Sequence, residues 1–141
     1  RLARRCQGPT SQQLKRSIGQ FSDAGQILAF IGSNLESCAA THLISCFSRL
    51  GRVTKAAGCG LLTGSRPFSR LVGRLAEFVS RGHVDTQGLR TILVALAYLE
   101  VDRLSLRPLL GKCVDALGGQ AADATARDLA SGAWALAKTS E

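Results

Sequence analysis

Arg70, Arg74 and Arg81 stand at i, i+4 and i+11, which on a helix places them within about 40° of one line. Arg66 precedes Arg70 by one further turn. A guanidinium offers a planar fork of N–H donors that fits phosphate oxygens. A stripe of four is therefore a candidate polyanion contact. A solvated helix face can look the same, but Glu77 is the sole acid close to this stripe in sequence, and the excess of one sign favours an anionic partner. Arg1, Arg4, Arg5, Lys15, Arg16, Arg49, Arg52 and Lys55 complete the basic set of the N-terminal half and are the remaining candidates for RNA contact.

A second set could hold a metal. Cys38, His42 and Cys46 fall at i, i+4 and i+8, along one side of a helix, and Cys59 would complete a four-ligand zinc set. The spacing matches no familiar zinc motif, and free cysteine is among the most often buried residues. The expectation is core packing, with no metal and no cofactor. Catalysis is not expected either. His42 and His83 have no patterned partners, and neither a Gly-rich phosphate loop after a strand nor an HExxH run is present. Nucleophile, base and orienter have nothing to converge from.

Charge is distributed unevenly. Residues 1–81 carry 12 Lys/Arg against three acids, whereas residues 82–141 carry six against seven. One half thus faces a polyanion, and nucleic acid is the commonest. Five cysteines without a CxxC pair do not make a secreted disulfide framework, so a reducing compartment is expected. No apolar run approaches the ~18 residues of a membrane span. The chain starts with Arg and contains no Met, as a processed product or an excerpt would. Its acid-poor opening before Asp23 is what the edge of an organellar transit peptide, or a basic RNA-contacting arm, looks like.

The elements that must position these residues are helices. Thr10 or Ser11 caps a segment through Leu14 and Ile18. Asp23 opens a second, with Ile27, Leu28, Ile31 and Leu35 on one face, before a turn at Asn34 and Ser37. Leu43, Ile44, Phe47 and Leu50 mark a third over residues 39–53. Residues 54–66, with Gly58, Gly60 and Gly64, read as a loop, or a short helix followed by a loop, inserted between repeats. Pro67 suits the first turn of a helix that Gly82 closes. Asp85 or Thr86 caps the next, striped by Leu89, Ile92, Leu93, Leu96 and Leu99. Ser105 caps another with Pro108 in its first turns, ended by Gly118-Gly119. Asp123 or Thr125 caps the last, carrying Leu129, Ala133, Trp134 and Leu136 as its apolar stripe. Phe47, Phe68 and Phe78 read as core. No period-2 strand pattern occurs.

These segments repeat. Leu71-Val72-Gly73-Arg74-Leu75-Ala76-Glu77-Phe78-Val79 lines up with Leu109-Leu110-Gly111-Lys112-Cys113-Val114-Asp115-Ala116-Leu117 at an offset of 38 residues, and Ala95-Leu96-Ala97 returns as Ala135-Leu136-Ala137 after 40. Paired helices recurring at this period are the signature of helical-hairpin repeats. The expected architecture is all-α: about three hairpins (residues 23–53, 67–100 and 105–138) stacked as an α-solenoid, preceded by a basic arm and short helix over 1–22.

Leu129-Ala130-Ser131-Gly132-Ala133-Trp134-Ala135-Leu136-Ala137-Lys138 resembles the second helix of organellar octotricopeptide-like repeats, related to the RAP-domain and FAST-kinase-like RNA-binding proteins. Residues 89–99 and 41–50 look like weaker copies, and the resemblance spans residues 23–140. It implies RNA binding along a helical superhelix, in a mitochondrion or another organelle such as a plastid. It also implies a role in RNA stability, processing or translation, or as a structural part of a mitoribosome. The expected function is a non-catalytic RNA-binding protein, contacting rRNA or an organellar transcript and neighbouring proteins of a ribonucleoprotein, with no membrane partner. The alternative is a protein-binding scaffold of the HEAT or armadillo kind.

Overall fold

Side-chain caps start most of the helices. The Gln13 N–H donates to Thr10 Oγ1 (3.2 Å) while the Thr10 N–H donates to Gln13 Oε1 (2.9 Å), a capping box that satisfies two otherwise orphan donors. It opens α1 (Ser11–Gln20). Asp23 caps α2 (Ala24–Asn34) through the Gln26 N–H, and a 3₁₀ turn, Leu35–Ser37, follows. The remaining helices are α3 (Ala40–Ala57), α4 (Arg66–Ser80), α5 (Thr86–Tyr98), α6 (Arg103–Gly119) and α7 (Ala126–Thr139). Ser65 caps α4 and Asp85 caps α5. Gly82 ends α4 at φ 73°, the left-handed conformation glycine adopts without a Cβ penalty. The computed structural model describes residues 10–57, 62, 64–99, 103–120 and 122–139; among them there is no strand, and the protein is all-helical.

Each helix packs chiefly on its next-but-one neighbour. α2, α4 and α6 lie against one another in order, as do α1, α3, α5 and α7, with α3 on α5 and α5 on α7 the most extensive packings. The core between the rows is Leu- and Ile-rich: Leu14, Ile27, Leu43, Leu50, Leu71, Leu89 and Leu109 are all buried. Each such side chain contributes about 1.5–3 kcal/mol by leaving water. Phe47 and Phe68 stack at 6.3 Å between α3 and α4; Phe78 is half-buried instead. Among the described residues no helix is long and apolar enough to cross a membrane.

Three sequence expectations are corrected. First, the loop does not span all of 54–66: helix continues to Ala57, as the short-helix alternative has it, and α4 takes in Arg66. Thr54 is buried and its hydroxyl is satisfied by the Leu50 carbonyl (2.6 Å); Gly58 and Gly60 lie outside the described residues. Second, α6 begins before Ser105, and Pro108 sits inside it. The intrahelical bond a proline forgoes is offset by Leu106, Leu109 and Cys113, which are buried in the core. Third, α7 is rotated from its expected face. Asp128, Gly132 and Ala135 are buried, while Leu129 and Trp134 are 45% and 44% exposed. A Cβ on Gly132 would come within 3.0 Å of Leu117 and 3.6 Å of Leu93, so the leucines of α5 and α6 fill the space and the glycine lets α7 approach.

Candidate nucleic-acid interface

The sequence-derived basic residues separate into groups. Arg1, Arg4 and Arg5 lie outside the described residues. Lys15 and Arg16 are exposed on α1, and Arg66 at the start of α4. Arg49 is structural. Its guanidinium donates to the carbonyls of Phe21 (2.8 Å) and Gly19 (3.0 Å), tying the C-terminal end of α1 to α3. Arg70, Arg74 and Arg81 do share one face of α4, but each has a carboxylate. Glu36, brought from the 3₁₀ turn, reaches Arg70 at 3.6 Å, and Glu77 reaches Arg74 at 3.4 Å and Arg81 at 3.8 Å. Arg74 also lies over the Phe78 ring at 5.2 Å. Exposed pairs contribute at most about 1 kcal/mol each, yet two carboxylates leave this stripe a small surplus of charge.

The row α3–α5–α7 brings together a different set. Arg52 and Lys55 on α3, Thr91 and Tyr98 on α5, and Arg127 and Trp134 on α7 occupy adjoining faces of this row. The helices cross closely because Gly51 meets Ala95: a Cβ on Gly51 would lie 3.3 Å from the Ala95 Cα. Beside this contact the surface opens into two hollows. One, of about 480 Å³, is lined by Ser45, Arg49, Arg52, Asp85 and Gln87 among others. The second, of about 340 Å³, is lined by three arginines, Arg52, Arg90 and Arg127. Ser48, Arg52 and Thr91 line both.

Arg90 and its partner fix the second hollow. Arg90 Nη1 lies 3.0 Å from Asp128 Oδ1, and the Thr125 N–H donates to Asp128 Oδ2 at 3.0 Å. Asp128 is buried. The Thr125 N–H holds its carboxyl below the ordinary carboxylate range; burial pushes the other way, and the Thr125 hydroxyl, the Arg90 charge and Thr86 assist the lowering. A lowered folded-state value means stability that is fully present near neutrality and is lost as pH falls through that value. Asp128→Asn is accordingly expected to lower the thermal midpoint at neutral pH, with the difference from the wild type narrowing below about pH 4. Thermal unfolding at both pH values checks this, and a gap of constant size across that range would contradict it. Arg52 and Arg127, by contrast, have no ion pair among the described residues.

Aromatic side chains border the same hollow. Lys55 Nζ stands 4.5 Å over the Tyr98 ring, and Tyr98 meets Trp134 edge-on at 5.7 Å and 67°. Sequence reasoning put Trp134 on the last helix without giving it a contact and did not single out Arg90, Arg127 or Tyr98. Their signal was present as polar periodicity: Ser45, Ser48, Arg52 and Lys55 recur at 3, 4 and 3, and Arg127, Ser131 and Trp134 at 4 and 3.

The cysteine–histidine set is packed. The Ala39 N–H donates to His42 Nδ1 (2.9 Å), and Nε2 lies 3.0 Å from Ser11 Oγ, so both ring nitrogens are engaged. Cys38 and Cys46 are buried. Burial, with the Cys38 thiol beside it, pushes Cys46 up to about 12, which opposes the thiolate a metal needs. Cys59 lies outside the described residues. Comparison with family models, curated proteins and solved structures finds no match, so the functional reading rests on these helices and the side chains they assemble.

Proposed function

We propose that the chain is a non-catalytic RNA-binding protein whose helix pairs stack as an α-solenoid, holding a single strand across the α3–α5–α7 row. One observation carries the reading: Arg52, Lys55 and Arg127 stand beside Tyr98 and Trp134 on that row. Cations that follow the phosphates and rings on which bases stack are the two components of single-strand binding. The alternation of partners supports the solenoid, since each helix meets the next-but-one as repeating hairpins require. The resemblance to octotricopeptide-like repeats supports an organellar setting, a mitochondrion above all. It likewise supports rRNA or an organellar transcript as ligand, with neighbouring proteins of a ribonucleoprotein as further partners.

The test is fluorescence anisotropy of a labelled single-stranded RNA at salt concentrations between about 50 and 200 mM. Wild-type affinity is expected to fall log-linearly with salt. Arg52→Glu/Arg127→Glu should weaken binding by about 100-fold, the equivalent of ~2.7 kcal/mol, because neither cation has a carboxylate partner among the described residues. Arg70→Glu/Arg74→Glu should cost less than about five-fold, because Glu36 and Glu77 already offset that stripe. The opposite ranking would move the interface to α4. A folded protein that binds no RNA at low salt would leave a HEAT-like protein scaffold as the better reading.

A further inference from the structure

The hollow enclosed by α3, α5 and α7 differs from the rest of the row in how its charge is held. Three guanidiniums and one carboxylate line or border it, leaving a surplus of two positive charges. Arg90 is tethered to buried Asp128, and the two are 38 residues apart, the offset at which the first helices echo. This tether joins α5 to α7 and so holds the wall that carries Arg127 against α5; Arg52 lines the hollow from α3. Neither Arg52 nor Arg127 has a carboxylate among the described residues. Hydroxyls of Ser48 and Ser131 add donors suited to anionic oxygens, while the Thr91 hydroxyl donates to the Gln87 carbonyl (2.9 Å). Trp134, one turn beyond Ser131, is nearly half exposed and is braced edge-on by Tyr98, itself capped by Lys55.

We propose that this hollow is a mononucleotide subsite. Arg52 and Arg127 clamp one nucleotide phosphate from opposite walls, and the attached base stacks on Trp134. The chemistry suits a phosphate better than a carboxylate because two guanidinium forks and the hydroxyls of Ser48 and Ser131 can serve its free oxygens. The hollow, at about 340 Å³, is within the size range of small-ligand sites. The phosphate can be an internal diester or a terminal monoester of the strand; both present the same oxygens, and the monoester carries the larger charge. This inference rests on the RNA-binding reading and adds to it the position at which one nucleotide is fixed.

Trp134 is the only tryptophan and packs on Tyr98, which lines the hollow, so its fluorescence reports from the edge of this site. The full chain is titrated with a uridine hexanucleotide bearing a 5′-hydroxyl, and with the same hexamer bearing a 5′-phosphate. Saturable quenching is expected. Arg52→Gln and Arg127→Gln should each weaken binding about ten-fold and reduce the salt slope by about one. Neither side chain has an ion pair among the described residues, so helical circular dichroism should match the wild type. Trp134→Ala, followed by anisotropy of a labelled hexamer, should weaken binding about ten-fold with the salt slope unchanged, since stacking releases no counterions. A gain of ten-fold or more from the 5′-phosphate that disappears in Arg127→Gln assigns the clamp to a terminal monoester. Equal affinities for both hexamers, each weakened by Arg127→Gln, assign it to an internal diester. RNA binding by anisotropy without Trp134 quenching, or with salt slopes unchanged in both arginine variants, overturns the subsite and leaves the RNA reading standing. Absence of binding to any RNA overturns both.

Discussion

Phe47→Ala is expected to cost about 3–5 kcal/mol of folding stability. Phe47 is fully buried on α3, and its ring lies nearly parallel to Phe68 of α4, at 6.3 Å and 14°. It therefore joins the two rows of helices, where truncation removes the apolar transfer term and leaves a cavity that rigid neighbours fill only in part. Phe30 serves as the control. It is half-buried, paired with Phe21 at 5.2 Å, and its loss should cost markedly less. Against a total stability of about 5–15 kcal/mol, the Phe47 variant should be partly unfolded well below the wild-type transition. Urea unfolding followed by helical circular dichroism measures both, and equal costs at the two positions would contradict this account of the core.

The parts of this fold that were legible in sequence are those decided within one helix. Thr10, Asp23, Asp85 and Thr125 cap because a short oxygen-bearing side chain meets an N–H three residues on. The stripes of α4 and α5 follow from a period of 3.6. What failed was decided between helices. Whether α7 buries its leucines or its glycine depends on how closely Leu93 and Leu117 approach, and no local pattern carries that distance. Periodicity located the arginine stripe on α4 correctly, but Glu36 joins it from 34 residues upstream in sequence. Arg49 was taken for a ligand contact because nothing near it in sequence reveals that the carbonyls of Gly19 and Phe21 are its partners. The candidate hollow needs Arg52, Arg90 and Arg127 from three helices, so each arginine was visible and their convergence was not.

Gly51→Leu is expected to cost about 3 kcal/mol and to remove RNA binding together with stability. Glycine inside α3 is locally unfavourable, and a substitution would recover up to ~1 kcal/mol of helix propensity. That gain is outweighed at this crossing. A Cβ at residue 51 would already lie 3.3 Å from the Ala95 Cα and 3.4 Å from its carbonyl oxygen. The obstacle is backbone rather than the movable end of a side chain, so relief requires α3 and α5 to separate. Over-packing of this kind costs about 1–3 kcal/mol where the surroundings can shift; this pair is the most extensively packed in the molecule, which puts the cost at the upper end. Ala95 also lines the hollow that holds Arg52, so separation carries Arg52 away from Arg127. Gly51→Ala is the graded test, adding the Cβ alone, and should lose less of both properties. The arginine variants provide the contrast, since they are expected to lose binding at wild-type stability. Thermal unfolding and RNA anisotropy measured on one set of proteins separate the two behaviours. A Gly51→Leu protein that stays stable and binds RNA normally would show that close approach of α3 to α5 does not shape the hollow.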